Sequence, residues 1–441
     1  MWKHRSMSAT ALGPALAGWL VLGASPATAQ EGPQTVTLGE AIEIALEQNP
    51  TVQQAENSAR LGTLGVRQQQ RELLPDLRLS TVGATPYASG IERDASVSAG
   101  LSTSVEISNI YSTFAGIEQA QIDEQGGVQD LSRARQSVTY NVNSDFLTVL
   151  EAQEQVLVQQ ENLRSEQELD SQIQAFVDAG RRPISDLYQQ QALTAGAELA
   201  VVQAERGLLV ARMNLIQTLQ LDPFGEYEFA APEDMPVTMR AADLDPEELS
   251  ARAFAQRPDL AAAELSVNSA QQGVRIADSS RWPTLSLTVG YGADFISTNQ
   301  VGFFDQLDQQ RGGILQLGVS VPLLDSTTGI TRERARLDVE NAQIGLENTQ
   351  QTVATEVQTA YLDLALAEQQ LDVAELQLRS AELALETAQR RYDVGAGTLV
   401  ELTQARASQV GAASALVNAR YGLVLQNRLL QYHLGELQPG T

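Results

Sequence analysis

The sequence predicts a mainly α-helical protein with a small β part. One architecture, long helical hairpins carrying one amphipathic β-hairpin, is built twice. Three observations lead there. The chain repeats itself at a spacing of about 210 residues. Apolar heptads run far beyond the length of a globular-domain helix. Two short stretches on each copy alternate between apolar and small or polar residues, the period of a strand.

The repeat is legible by eye. NPTVQQAENSARLGTLGVRQQQRELLPDLRLS, with its proline at Pro50, returns as RPDLAAAELSVNSAQQGVRIADSSRWPTLSLT, with its proline at Pro258. Pro75 falls over Pro283 at the same offset of 208. Further on, VDAGRRPISDLYQQQ from Val177 matches YDVGAGTLVELTQAR from Tyr392, placing Gly180 over Gly395 at an offset of 215.

Residues 1–29 are expected to be a signal peptide. Lys3, His4 and Arg5 make a basic start, an apolar stretch follows, and Ala27-Thr28-Ala29 is an A-x-A cleavage pattern. Beyond it the chain has no cysteine, so it carries neither a disulfide framework nor a lipid-modified N-terminal thiol. Its one histidine is His433, too little for a histidine metal site or a Ser-His triad. The formal charge is −26 for the whole chain, and every basic residue after the signal is Arg. Such a chain should not bind nucleic acid. The acidity fits either solubility in a salty habitat or a cation-favouring lumen. No later segment is a run of roughly 18 apolar residues, so no transmembrane helix is expected, while a β-barrel stays open.

Each copy reads, in order, as a short helix, a longer helix, a β-hairpin, a very long helix, a glycine-containing turn and a long helix. The domain plan is a first repeat at 30–221, a linker at 222–245, a second repeat at 246–435 and a tail at 436–441. The β-hairpins are placed near 76–108 and 284–323. In the second hairpin Leu285, Leu287, Val289, Tyr291, Ala293 and Phe295 alternate with Ser286, Thr288, Gly290, Gly292 and Asp294. The return strand alternates Leu315, Leu317, Val319 and Val321 with Gln316, Gly318 and Ser320. In the first hairpin Val97, Ala99, Leu101, Thr103, Val105 and Ile107 form the stripe, and Arg78 interrupts the opening strand. Apolar-out, polar-in strands of about ten residues suit a transmembrane barrel with a wet lumen, although half-buried soluble strands alternate equally well. Four strands cannot close a barrel, since natural ones use about eight or more, so several chains must pool theirs.

The second very long helix is expected from about Thr327 to Arg391. Val357, Leu364, Leu371, Leu378, Leu385 and Tyr392 fall seven apart, and Ala360, Ala367, Ala374, Ala381 and Ala388 follow three behind. This is a heptad seam with alanine at d, which lets backbones approach closely. A second seam, through Leu362, Leu366, Val373, Leu376 and Leu383, lies on roughly the opposite side. Two seams mean two neighbours, as for a stave in a cylinder wall. The first copy is looser and keeps Val142, Val149, Val156 and Leu163.

These features resemble the TolC family of outer-membrane efflux and secretion channels over essentially the whole mature chain. The duplicated Asn-Pro and Arg-Pro helix starts, the Pro-x-Leu-x-Leu strand starts at Pro75 and Pro283, and the tips FVDAGRRPISDL and YDVGAGTLVEL carry the likeness. The resemblance implies a homotrimer with a twelve-stranded transmembrane β-barrel in the outer membrane, in contact with its lipid, and a long α-helical tunnel in the periplasm. It implies an equatorial belt near Leu38–Gln48, Asp222–Gln256 and the tail. It also implies two partners: a periplasmic adaptor protein and an inner-membrane pump of RND or ABC type. The chain would then be a passive export duct for a tripartite efflux pump or a type I secretion system, with no cofactor, no metal and no catalysis. A periplasmic adaptor, or a secreted structural coiled-coil protein, is the alternative. Adaptors lack the amphipathic hairpins and the full-length duplication.

The tips, near 177–187 and 392–402, are the candidate site. Gly180 and Gly395 are expected to turn the chain at φ > 0. By resemblance, the adaptor would meet Gly180, Ile184 and Leu187 on one tip and Gly395, Leu399 and Leu402 on the other. Asp186 and Glu401 occupy the same repeat position, as an acid ring around a mouth or as carboxylates favoured by a helix N-terminus. The family's basic latch residue corresponds to Gly397, and an inner acid of some members to Gln404. Here the basic residues are Arg181 and Arg182, so a latch is expected from Arg182 to Asp186 or Glu401 across hairpins. Tyr392 matches a tip tyrosine of the family and also continues the heptad.

Overall fold

The computed structural model describes residues 34–85, 95–106, 110–231, 237–297, 301–323 and 326–437. The signal-peptide region, Ile107 and the last residues of the tail lie outside them. The first copy contains β1 (Gln34–Val36), α1 (Leu38–Gln48), α2 (Pro50–Arg71), β2 (Asp76–Ala84), β3 (Ser96–Glu106), α3 (Ile110–Asp178) and α4 (Ile184–Leu219). A connector holds β4 (Tyr227–Phe229) and a 3-10 turn at Ala241–Asp243. The second copy contains α5 (Pro246–Gln256), α6 (Pro258–Ser279), β5 (Thr284–Ile296), α7 (Phe303–Gln309), β6 (Arg311–Ser320), α8 (Ser326–Asp393) and α9 (Leu399–Leu434). The heptad pattern carries α8 for 68 residues, about 100 Å.

The four long strands form one antiparallel sheet in the order β2-β3-β5-β6. The helices that continue them pack in the same order, α2-α3-α6-α8. The sheet therefore hands its order directly to the helical wall. Nearer the tips the order is α4-α3-α9-α8. The wall thus has four columns: α2 over α4, α3, α6 over α9, and α8.

Strand register sorts the residues. Leu77, Thr103, Val289 and Leu315 form one continuous row across the sheet, and Ser80, Gly100, Gly292 and Gly312 form another. Because neighbours in a row share a face, every leucine of the four strands lies on one face, with Val97, Val105, Val289 and Val319, while most of the serines and glycines lie on the other with Val82 and Ile314. Leu77, Leu79, Leu315, Leu317 and Val319 are all exposed. The small face is crowded: a Cβ at Gly292 would stand 3.2 Å from the Gly100 Cα, and one at Gly318 would stand 2.7 Å from the Ser286 Oγ. A sheet rolled toward that face needs glycine there. Arg78, paired with Ser102, takes its place on the small-residue face, so it fits the alternation instead of breaking it.

The prolines mark where one helix of a column stops and the next begins. Asn49 caps α2, accepting from the Thr51 N–H at 2.9 Å, and donates its amide to the Thr218 carbonyl at the end of α4 at 3.0 Å. In the second copy Arg257 takes that role without capping. Its side chain, 3% exposed, donates to Asp259 at 3.0 Å and to Glu356 of α8 at 2.6 Å. Gly435 ends α9 at φ 78, and a Cβ there would press on the Gln256 carbonyl and the Arg257 Cα. Gln220 makes the matching left-handed turn at the end of α4.

Two cores sit at this mid-height. One joins α1, α3, α4 and β4 through Ile42, Val142, Phe146, Val149, Leu150, Leu215 and Phe229. The other joins α5, α8 and α9 through Leu249, Val357, Ala360, Leu364, Leu430 and Leu434. The first α8 seam is therefore filled within the chain, whereas Leu362, Leu366, Val373, Leu376 and Leu383 are all exposed. The parallel pair β1–β4 and the short helix α7 were not expected from the sequence. The buried Gln306 of α7 clasps the end of β5, accepting from the Ile296 N–H at 3.0 Å and donating to its carbonyl at 3.1 Å. None of the described helices is long and apolar enough to cross a membrane.

Leu364→Ala should destabilise the fold by about 2–5 kcal/mol through the cavity it leaves, read as a lower midpoint in thermal unfolded-fraction curves in detergent. Leu376→Ser, on the exposed seam, should leave helicity intact and act only on assembly. Glu356 offers a pH test. The His433 imidazole 3.3 Å away and the Arg257 guanidinium hold its carboxyl down to about 2, against the opposing push of burial. A depressed acid stabilises the fold above its unfolded value of about 4.3 and loses that contribution as pH falls toward 2. Thermal midpoints should therefore fall more steeply below pH 4 in the native chain than in Glu356→Gln.

Candidate functional site

Both tips end in the same turn. Gly180 has φ 68 and Gly395 has φ 76, the left-handed conformation that glycine adopts without cost. The Gly180 N–H donates to the Val177 carbonyl and the Arg181 N–H to the Phe176 carbonyl, at 2.9 and 2.8 Å. Gly395 and Ala396 repeat this with Tyr392 and Arg391 at 3.0 and 2.8 Å. This pair of bonds is the Schellman motif, which satisfies the last carbonyls of each long helix.

From these turns the side chains diverge. Arg181 lies over its own Phe176 ring, 5.0 Å from the centroid. Arg182 lies 4.5 Å over the Tyr392 ring of the second hairpin, and 3.9 Å from Asp186 of its own. It is the cationic tie between the hairpins at this level. Tyr392 is 1% exposed, and burial pushes its hydroxyl upward from its ordinary pKa. Glu401 is engaged elsewhere: it completes a capping box with Thr398, whose hydroxyl accepts from the Glu401 N–H at 3.2 Å, and it meets Arg391 at 3.5 Å. The structure therefore brings Arg182 to Asp186 and to Tyr392, and does not bring it to Glu401. Gln404 is exposed on the same helix. Gly397 is a close-packed position, since a Cβ there would stand 3.1 Å from the Tyr392 nitrogen. A basic residue cannot occupy it without a shift of the turn.

The apolar tip residues divide in two. Leu187, Leu399 and Leu402 are buried with Leu169, Ile173 and Tyr392 in a core between the hairpins. They are not free to line an outer groove, as the sequence reading had them. Ile184 is exposed, and Tyr188, Val394 and Val400 are exposed with it.

Sequence reading missed a polar cluster above this core. Glu166 of α3, Gln190 of α4 and Arg406 of α9 meet there. Arg406 stands 3.5 Å from Glu166 and donates to the Ser165 carbonyl at 3.0 Å, while the buried Gln190 amide donates to the Glu166 carboxylate. A signal existed: Glu166 falls three residues after Leu163, at the d position of the α3 heptad. Gln190 and Arg406 likewise continue the buried stripes begun by Leu187 and by Leu399 and Leu402. Among the described residues no group of acids and histidines could hold a metal ion.

Strands with one exposed apolar face, a crowded small-residue face and two open edges, extended by unbroken helical columns, define a channel wall in segment form. The sequence profile described as outer membrane efflux protein matches residues 41–219 and 249–436. The chain belongs to that family. It is an outer-membrane efflux channel protein, located in the outer membrane with a periplasmic helical extension. Its structure is similar to the outer-membrane channel OprN, at 20% identity over 92% of this chain and 91% of that one, with a TM-score of 0.77. It is also similar to VceC of Vibrio cholerae, at 16% identity, 90% and 96% coverage and a TM-score of 0.74. A third, the open state of the MtrE channel of Neisseria gonorrhoeae, matches at 21% identity, 91% and 90% coverage and a TM-score of 0.74. Among curated protein sequences there is no match to the chain.

Arg182→Ala should raise single-channel conductance in planar bilayers, because it removes the cationic tie between the hairpins, whereas Arg181→Ala should not. Equal conductance for native protein and Arg182→Ala discards the latch.

Proposed function

We propose that three copies of the chain close into one passive duct, without enzymatic activity, and that it serves a tripartite efflux pump or a type I secretion system. One observation carries the reading. Among the described residues every layer of the single chain ends in an open-sided element: β2, α2 and α4 at one side, β6 and α8 at the other. The exposed apolar residues on those sides match in level. Counted up from the tips, Leu383, Leu376, Val373, Leu366 and Leu362 of α8 stand opposite Leu193, Leu199, Val202, Leu209 and Met213 of α4. Such a pairing between copies is an antiparallel seam that buries both rows. Twelve pooled strands then suffice for a barrel, which natural examples form from about eight strands upward.

In this reading the exposed tip residues Ile184, Tyr188, Val394 and Val400 meet a periplasmic adaptor, and an inner-membrane pump of RND or ABC type supplies the energy. Asp186 and Glu401 supply acid around the mouth. The Arg182 contacts with Tyr392 and Asp186 hold the tips until the adaptor docks.

The test is fractionation followed by heat-dependent gel migration. The chain should sediment with outer membranes and run as a trimer that collapses to monomer on boiling. A crosslinkable residue at Ile184 should capture a periplasmic adaptor. A monomer soluble without detergent, or a trimer that captures no adaptor, contradicts the respective half of the reading.

A further inference from the structure

Beside the foot of the second β-hairpin lies a cavity of about 390 Å³, lined by Ser280, Arg281, Pro322, Leu323, Thr328 and Arg332. Leu323, 89% exposed, follows β6 and its exposed Leu315, Leu317 and Val319 along the chain. Nearby, Trp282 and Tyr111 stack at a centroid distance of 6.1 Å, both largely exposed. Exposed amphipathic rings at the end of an apolar band sit where a bilayer meets water.

Two arginines converge there. Arg281 and Arg332 share one carboxylate oxygen of Asp278, at 3.0 and 2.8 Å. The Arg332 Nε is shielded from solvent, and its approach to Asp278 is a charge contact without a directed hydrogen bond. Among the described residues, Glu118 is engaged with Arg275 at 3.4 Å and Glu333 with Arg336 at 3.9 Å. Among the described residues two guanidiniums thus face one carboxylate, with further N–H donors suited to a phosphate.

The first copy does not reproduce this. Counted from Pro75 and Pro283, Leu73 replaces Arg281; counted from the tip glycines, Ile117 replaces Arg332. The cleft of the first copy is built differently: Arg67 and Arg71 of α2 and Arg78 of β2 line it together with Glu72 and Asp76, and Arg78 is paired with Asp76 at 2.5 Å. The Arg281–Arg332 pair therefore occurs once per chain.

We propose that this cavity binds the phosphate of an anionic glycerophospholipid, held by Arg281 and Arg332, with its acyl chains along the apolar face of β5 and β6. The proposal rests on the membrane-channel reading above. The lipid fastens the junction between barrel and helical wall from outside.

Native mass spectrometry of the detergent-solubilised protein tests it, with dioleoylphosphatidylglycerol, dioleoylphosphatidylcholine and inorganic phosphate as separate probes. The native protein should retain phosphatidylglycerol in preference to phosphatidylcholine and bind no inorganic phosphate. Arg281→Gln and Arg332→Gln should each weaken that retention about fivefold. Asp278→Asn, which removes the competing carboxylate, should strengthen it. Equal retention of both lipids by the native protein, unchanged retention in both arginine variants, or binding of inorganic phosphate alone overturns the proposal. Heat-dependent migration of each variant reports that it is folded and assembled. A chain that is soluble without detergent fails the channel reading itself, a result distinct from an assembled channel with no headgroup preference.

Discussion

A β-sheet in a lipid bilayer has to satisfy every edge, because nothing in the hydrocarbon replaces a missing hydrogen bond. This chain brings four strands, with β2 and β6 as open edges. Much of the rest of the structure answers to that. The columns inherit the strand order, so whatever closes the sheet also closes the helical wall. The second seam on α8 is the helical counterpart of the open edge on β6, and α4 is the counterpart of β2. A single chain is a wall segment that is complete only in company.

Duplication supplies the segment economically, but the copies have diverged where symmetry would be unhelpful. At mid-height both copies tie the column break with the residue before the proline, yet one uses the amide of Asn49 and the other the guanidinium of Arg257. At the tips the first copy has Arg181 and Arg182 where the second has Ala396 and Gly397. Arg182 therefore crosses to Tyr392, while Gly397 is packed too tightly to reciprocate. In the proposed trimer the mouth consequently repeats by three, although the wall nearly repeats by six. The buried Glu166–Gln190–Arg406 cluster adds a second tie between hairpins above the tip core. A buried ion pair of this kind is costly to break by removing one partner, about 3–5 kcal/mol.

Periodicity made the wall legible. The seven-residue spacing of Val357, Leu364 and Tyr392 gave the buried seam, and that of Leu366, Val373 and their neighbours gave the exposed one, because burial of a helix face follows directly from its repeat. Alternation did the same for the strands and their common apolar face. The tips were less legible. Leu187, Leu399 and Leu402 look like surface groove residues in a linear motif, but packing of one hairpin on the other buries them, which no single helix reveals. Glu401 could be assigned to a cap or to a latch from sequence alone; the Thr398 hydroxyl and Arg391 claim it. The short helix α7 depends on Gln306 reaching back to the end of β5, a contact without periodic signature.

The account stands on closure by identical copies, and the absence of native cysteine makes that directly measurable. Val202 on α4 and Val373 on α8 are exposed at matching levels on opposite sides of the chain. In a variant carrying both Val202→Cys and Val373→Cys, mild oxidation in membranes should give covalent dimers and trimers on non-reducing gels, with each single variant remaining monomeric. A double variant that stays monomeric, while its thiols remain reactive to a maleimide, would contradict the closed ring.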